Sequence, residues 1–537
     1  MAVRPTGPVT VTQQDPMRHR PAYAAILAIF SAFAISAPAR ADGQGQPPRL
    51  ELSIKQGIVM VLENNLDITI ERISPQIAEA GILTEQGAFD VEIFGSARRR
   101  DAETPLSTRA SVAAAGLSTI KSETVSLSAG IEGRTTIGTV YTLETRNEAT
   151  SDTLSGFTPE YGSFTGVTVT QPLLKGFGAG VNKLRLNSAL KDRDISVNRL
   201  RQMITDTVAR FASVYWDLAQ AKAELGVRVE SEELALSLAE INRKKLEAGA
   251  ASALEVTQAR AAASVRKDGV ITAQRALRER ENELKLLISG DVYALRDTEI
   301  VTGDPGADRS LAVENVETLE DGAAEALRSR PDYLVIRDEI EKSNLQVLYA
   351  NGQRYPKVDL EASYGFNGLG GSFRESYSGI DSNPEWTVGL VMRYPLGNRA
   401  SLGALKAARL RSGVELLRLK KLEQSIILSL DGARKEIETA RARVEAARVS
   451  TALTRESMEA EEKKLAAGRS TTYSVLLVQE DLAMARLNEI GAVIDYNKAL
   501  ISYLREKGTL LEGYGFEMEK AGVERLARRD AGGETDR

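Results

Sequence analysis

The chain has 537 residues, a formal net charge of −5 at neutral pH, no cysteine and one histidine, His19. The lack of cysteine excludes disulfides and thiolate metal sites, and the interspersed acidic and basic residues do not indicate a nucleic-acid-binding protein. A chain this poor in histidine and cysteine lacks the usual metal ligands, nucleophiles and acid–base groups, so we expect no enzyme, no metal site and no cofactor.

Residues 1–41 have the pattern of an export signal. The basic tripeptide Arg18-His19-Arg20 precedes an apolar run over residues 24–37, and Ala39-Arg40-Ala41 has the small-x-small pattern of a cleavage site. A membrane anchor is the alternative, but the apolar run is too short to span a bilayer comfortably. We therefore expect a signal peptide over residues 1–41, with Met17 as an alternative translation start.

The rest of the chain repeats one pattern twice. Each copy contains an alternating stretch that ends at a proline, Pro172 or Pro395, and each proline is followed by a long proline-free tract. Because proline is confined to the margins of strands and helices, these positions mark strand-to-helix boundaries, and we expect Pro172, Gly176 and Pro395 to act as strand-to-helix swivels. The predicted divisions are a first repeat, an irregular equatorial segment, a second repeat and a partly disordered C-terminal tail, at residues 42–290, 291–321, 322–513 and 514–537.

Strands are predicted where apolar and polar residues alternate, notably over residues 125–131, 358–366 and 386–394. This period of two is typical of a strand between lipid and water, although a soluble sandwich alternates in the same way. Stretches rich in Ser, Gly and Thr are predicted as loops, at residues 105–120, 146–164 and 367–384. Each repeat then contributes about two strands, and the first half carries about 43 extra residues in this region without an assigned role.

Long helices follow each swivel. Apolar residues recur every three or four positions over residues 200–229, which indicates an amphipathic helix. We predict a helix over residues 181–246 that turns at Gly249 and returns to residue 289, and a second over residues 401–465 that turns at Gly468 and returns to residue 507. Helices of this length with such a seam favour coiled-coil packing.

About four strands per chain cannot close a membrane barrel, since the smallest such barrels have about eight. An open edge in hydrocarbon would leave backbone N–H and C=O groups without partners. Three copies would supply about twelve strands. The predicted fold is therefore a mixed α+β membrane protein: a trimeric 12-stranded β-barrel, with about four strands per chain, continued by a long α-helical coiled-coil barrel with internal duplication.

A series of short motifs follows along the chain: Asn64-Asn65, Phe89-Asp90, Thr170-Gln171-Pro172-Leu173-Leu174-Lys175-Gly176-Phe177-Gly178, Tyr215-Trp216, Ser329-Arg330-Pro331-Asp332 and the two Ala-Gly turns. By their order and duplication, these segments resemble the TolC family of outer membrane efflux proteins over nearly the whole mature chain. It implies an exit duct in the outer membrane, with its helical part in the periplasm, for efflux or type I secretion.

The same resemblance implies partners. They are two further copies in a homotrimer, outer membrane lipid, a periplasmic adaptor (membrane fusion protein) and an inner-membrane pump of RND or ABC type. Nucleic acid is not among them. The alternative function is a periplasmic coiled-coil adaptor or scaffold without a membrane pore. The sequence assigns neither the cargo nor the classes of pump and adaptor.

Site residues also follow from the resemblance. The hairpin turns are expected to contact the adaptor, through Gly249, Ser252, Leu254, Gly468, Arg469 and Ser470. Both glycines would stop a helix whatever the function. The candidate periplasmic aperture consists of Glu255, Ser474 and Leu477; because the second repeat has no acid there, a complete acidic ring is absent. The alternative role for Glu255 is a solvated helix carboxylate.

Overall fold

The computed structural model describes residues 48–114, 116–303, 317–378 and 380–516. The predicted signal peptide and residues 517–537 of the predicted tail lie outside them. Within the described residues, no helix has the length and apolar character needed to cross a membrane.

The α-helices are α1 (Ile54–Asn64), α2 (Leu66–Gln86), α3 (Thr108–Ala113), α4 (Ala179–Asn182), α5 (Leu184–Glu247), α6 (Ala253–Ile288), α7 (Leu319–Ser329), α8 (Pro331–Gly352), α9 (Phe373–Tyr377), α10 (Arg399–Ala466), α11 (Thr472–Lys507) and α12 (Leu510–Gly513). The strands are β1 (Arg49–Leu52), β2 (Glu92–Pro105), β3 (Thr119–Arg134), β4 (Val140–Asp152), β5 (Glu160–Pro172), β6 (Glu299–Thr302), β7 (Lys357–Gly370) and β8 (Pro384–Arg393).

The long helices confirm the prediction made from apolar spacing. α5 has 64 residues and α10 has 68, and each is followed by a return helix of 36 residues, α6 or α11. At 1.5 Å per residue, α5 is roughly 100 Å long. The equal length of the two return helices reflects the internal duplication, and the mixed α+β class is confirmed as well.

One core joins the two repeats along α5. The aromatic residues Phe211, Tyr215 and Trp216 are almost completely buried there, against α1, α6 and α11. Tyr215 Oη donates a hydrogen bond to Leu52 O at 3.2 Å and accepts one from Gly303 N at 3.1 Å. These bonds attach the small parallel β1–β6 sheet to the side of α5.

The main sheet is antiparallel and has six strands in the order β2-β3-β4-β5-β7-β8. The prediction of about four strands per chain was therefore wrong. Part of the difference lies in residues 146–164, predicted as a loop, where Asn147 pairs with Ser163 in the β4–β5 ladder. Small polar residues carry little apolar contrast, so the sequence pattern did not reveal strands that backbone hydrogen bonds hold together.

The sheet has one apolar and one polar face. A single row of paired residues crosses all six strands on the apolar face: Ile93, Ile131, Leu143, Val167, Tyr364 and Trp386. The neighbouring residues along each strand point to the other side, which carries charged residues such as Arg98, Glu144 and Glu361. Such a sheet is suited to lipid on one face and water on the other.

Candidate functional site at the hairpin turns

The two long helical hairpins reverse through the same backbone motif. Gly249 has φ +73° and Gly468 has φ +72°, values that glycine adopts without strain. In the first turn Ala250 N donates to Lys245 O at 2.7 Å and Gly249 N donates to Leu246 O at 2.9 Å. The second turn has the equivalent pair of bonds at 2.8 and 3.1 Å, so both helices end in a Schellman motif.

The return helices begin with equivalent caps. Ser252 Oγ accepts from Glu255 N at 3.3 Å, and the Glu255 carboxylate accepts from Ser252 N at 2.8 Å, which forms a capping box. Thr471 Oγ1 accepts from Ser474 N at 3.2 Å in the second repeat. Glu255 and Ser474 thus occupy the same position of the cap, but the Glu255 carboxylate accepts from Ser252 N, whereas Ser474 Oγ lies 2.9 Å from Thr471 Oγ1.

The predicted adaptor-contact residues lie on or beside these turns. Gly249, Ser252, Gly468 and Arg469 are exposed. Ser470 is half-buried and hydrogen-bonded to the Glu461 carboxylate. That bond, together with Lys464 Nζ at 3.0 Å, lowers the pKa of Glu461 below its ordinary value. The contacts of Ser470 and Lys464 with Glu461 therefore hold the second turn. The capping hydrogen bonds of the first turn include no direct counterpart of these contacts.

Sequence reasoning missed one residue, Tyr473. It occupies the second helical position of α11, as Leu254 does in α6, and the two side chains are 62% and 64% exposed. Leu477, from the candidate aperture, is also exposed. Aligning the sequences of the two turns places Leu254 opposite Tyr473, so comparison of the two repeats could have identified Tyr473 as a candidate contact residue. Each tip therefore presents a large apolar side chain to its surroundings.

Buried polar contacts join the two hairpins just above the turns. Asn242 Nδ2 donates to Thr472 Oγ1 at 3.0 Å. Arg266 is also buried and donates to Ser231 O, Leu476 O and Gln479 Oε1, each at 3.0 Å. Because these bonds connect α5 and α6 to α11, they fix the first hairpin against the second near the tips.

An open groove of about 460 Å³ lies beside this joint, between α5 and the α10–α11 hairpin. Its wall includes Leu238, Ile241 and Leu465, with Lys245 and Glu462 at the side. Ile241 is exposed, Leu465 is half-buried and Leu238 is buried, so the groove combines apolar side chains with charges at its margin and is suited to an amphipathic helix.

The predicted swivels lie between the sheet and the long helices. Pro172 is the last residue of β5, and Gly176 follows with φ +85°. Asn182 Nδ2 donates to Gly176 O at 2.7 Å, which fixes this bend to α4. In the second repeat Pro395 follows β8, and its carbonyl accepts from Asn398 N at 3.0 Å.

The described residues contain no cluster of acidic or histidine side chains able to hold a metal ion.

Comparison with known proteins identifies the family of this chain. The family model described as outer membrane efflux protein matches residues 136–290 and 323–502, which include both hairpin turns. The outer membrane efflux protein BepC of Brucella suis biovar 1 (strain 1330) is 24% identical over 358 residues, which are 64% of this chain and 72% of that protein.

Solved structures share the fold. The Campylobacter jejuni CmeC outer membrane channel superposes with a TM-score of 0.64 at 15% identity, over 88% of this chain and 89% of that one. The open state of the Neisseria gonorrhoeae MtrE outer membrane channel gives a TM-score of 0.59 at 14% identity, over 85% and 89%. These relatives are channels and not enzymes. The chain belongs to the outer membrane efflux protein family, and it is an outer membrane efflux duct whose helical part extends into the periplasm.

Proposed function

We propose that three copies of this chain form one tube, a β-barrel in the outer membrane continued by a cylinder of helices. The main support for this proposal is that the six-stranded sheet ends in two edge strands, β2 and β8, and has an apolar face. Unpaired backbone groups at these edges would cost several kcal/mol each in hydrocarbon. Channels of this family act as trimers with an adaptor and an inner-membrane pump, which supports three copies.

The helical part of the chain supports the same assembly. Leu66, Ile70, Ile73 and Ile77 follow one another at intervals of four, three and four residues along α2, and all four are exposed. Leu410, Val414 and Leu417 form a similar exposed seam on α10. This spacing is that of a coiled-coil seam, which is stable in water when another helix covers it. We assign that cover to a neighbouring copy.

The tips are the proposed adaptor contacts. The exposed side chains of Leu254 and Tyr473 and the groove beside Leu238 offer apolar surface for the hairpin of a periplasmic adaptor. The pump, of RND or ABC type, supplies energy and cargo, and the tube itself is passive. Leu254→Ser and Tyr473→Ser together should weaken adaptor binding without changing the copy number.

Copy number tests the proposal most directly. Light scattering of the purified protein in detergent should give three chains, and an outer membrane fraction should show a band whose gel mobility changes on heating. A monomer that stays in solution without detergent would refute the tube and would favour the periplasmic scaffold.

Glu255 is the proposed charged residue of the aperture. Glu255→Gln is a sharp test because glutamine also completes a capping box, so the substitution removes charge and leaves the cap. We expect lower cation selectivity of single channels in planar bilayers. Glu247→Gln is the matched control, since Glu247 lies at the end of α5 and is paired with Arg243 at 2.5 Å. Equal selectivity in both variants and the parent would assign Glu255 to the cap alone.

A further inference from the structure

The extra residues of the first half form two whole strands. β2 follows α2 and β5 leads to α5, just as β7 follows α8 and β8 leads to α10. The second repeat therefore has two strands between its helices, and the first repeat has four. β3 and β4 are the additional pair, and neither of them leads directly to or from one of the helices α2, α5, α8 and α10 that flank the sheet strands of the two repeats.

This hairpin is an integral part of the sheet. All 14 residues of β2 pair with β3, and all 13 residues of β4 pair with β3. β4 continues the ladder to β5. Ile131 and Leu143 belong to the apolar row that crosses the whole sheet. Removing the hairpin from the wall would therefore break two ladders and interrupt the apolar face.

The hairpin turn is also fixed at its lower end. Gly178 N donates to Ile137 O at 3.0 Å, which joins the turn between β3 and β4 to the swivel after β5. Gly138 has φ +98°, and a Cβ there would lie 2.6 Å from Gly176 O and 2.7 Å from Asn182 Nδ2. The turn between β3 and β4 therefore lies at the end of the sheet where β5 is followed by the swivel at Gly176 and the helices.

We propose that all six strands of each copy form the barrel wall, which is closed by pairing β8 of one copy with β2 of the next. This inference rests on the three-copy tube proposed above, and three sheets of six strands then give an eighteen-stranded barrel. The directions agree: neighbouring strands alternate through the sheet, so β8 and the β2 of the next copy run antiparallel, as outer membrane barrels require.

The consequence is a wide outer exit. Barrel diameter grows about linearly with strand number, so this wall would be about one and a half times as wide as a twelve-stranded one. Barrels of about this strand number leave an aqueous channel. The lumen would be lined by the polar face, with Arg98, Glu144 and Glu361. Cargo size would then be limited in the helical tube and at its tip, and the duct suits bulky hydrated solutes at its outer end.

Cysteine cross-linking tests the edge pairing, and the chain offers a background without cysteine. Leu390→Cys on β8 is combined in turn with Ile93→Cys, Gly95→Cys or Ala97→Cys on β2, all on the apolar face. Oxidation should link three chains covalently in at least one pair. Leu390→Cys with Leu127→Cys, on β3, is the matched control and should give no link between chains.

The outcomes separate this inference from the three-copy tube. A three-chain product in which β8 links to β3 and not to β2 would overturn the eighteen-stranded wall and leave the trimer intact. Cross-linked products of no more than two chains would overturn both the eighteen-stranded wall and the three-copy tube.

Polymer exclusion measures the width independently. Polyethylene glycols of graded size are added on the outer side of single channels in planar bilayers, and the largest polymer that still lowers conductance is recorded. Deleting residues 106–153 removes β3 and β4 and joins the outer ends of β2 and β5, so the excluded radius should fall by about one third. An unchanged cut-off in a deletion variant that still forms trimers would overturn the proposal. If the deletion variant does not assemble, the cross-linking pairs still decide.

Discussion

Asn242 Nδ2 donates a 3.0 Å hydrogen bond to Thr472 Oγ1, and only 2% of each residue is exposed. The bond links the last turns of α5 to the first residue of α11. Asn242→Ala leaves the threonine hydroxyl buried without this donor, which costs roughly 1–3 kcal/mol. We expect faster hydrogen exchange in the first turn of α11, measured by mass spectrometry. Asn497→Ala is the control, because Asn497 Nδ2 donates within its own helix, to Val493 O at 3.0 Å; equal exchange in the two variants would contradict the role of the joint.

Arg266 makes the second part of this joint. Its side chain is 7% exposed, and its guanidinium donates hydrogen bonds to three oxygens on α5 and α11 and lies 3.6 Å from Glu480 Oε2 on α11. Arg266→Met should lower the free energy of unfolding by about 2 kcal/mol, since hydrogen bonds from a charged group are worth roughly 1.5–3 kcal/mol. Arg266→Lys should recover little, because an ammonium cannot reproduce the fork of a guanidinium.

Urea unfolding in detergent measures both Arg266 variants, with Arg260→Met on the exposed side of α6 as the control. A midpoint for Arg266→Met equal to that of Arg260→Met would show that the buried contacts add nothing to stability.

We expect the Glu506 carboxylate to make the stability of the protein depend on pH. Burial alone would raise the pKa of this carboxyl, but hydrogen bonds from Arg330 Nη1 at 2.6 Å and Ser429 Oγ at 2.8 Å, with the nearby charge of Arg505, leave it below the ordinary 4.5. A carboxyl group whose pKa is lower in the folded than in the unfolded state stabilises the fold at a pH above its unfolded-state pKa. This stabilisation is lost as the pH falls through the folded-state pKa. Glu506→Gln should therefore be less stable than the parent at pH 7, and the difference should shrink below pH 4.5.

Thermal unfolding of the parent and Glu506→Gln at pH 7 and at acid pH tests this sign. Glu445→Gln on the exposed face of α10 is the matched control and should follow the parent at every pH. A difference that widens toward acid pH would contradict the argument.

The helices could be predicted closely because their signals are local. Apolar spacing, the glycines Gly249 and Gly468, and the absence of proline together place α5 and α10 within a few residues. The joint between the hairpins could not be predicted, since Asn242 and Thr472 are 230 positions apart and neither differs from a surface residue in the sequence. The same holds for Arg266, which the sequence alone would place on a solvated face.

The strands were undercounted for a different reason. β4 and β5 carry Thr145, Asn147 and Ser163 on the apolar face, where alternation predicts apolar residues. α9 folds back over this part of the sheet and satisfies them: Asn147 Nδ2 donates to Ser376 Oγ at 3.1 Å and Ser163 Oγ donates to Ser376 O at 2.6 Å. A tertiary cover removes the need for apolar side chains, so the strand pattern weakens where the cover lies.

Gly368 makes this cover testable. A Cβ at Gly368 would overlap Ser376 O, so Gly368→Ala should push α9 from the sheet and expose Asn147 and Ser163 to lipid. Overpacking of this kind costs roughly 1–3 kcal/mol, before the cost of the uncovered polar groups. Gly389→Ala on β8 is the matched control because no atom lies within 4 Å of its added Cβ. Urea unfolding in lipid vesicles and protease cleavage of the segment around α9 should both change in Gly368→Ala alone; identical behaviour of the two variants would mean that α9 does not protect the sheet, and that polar residues on this face are tolerated for another reason.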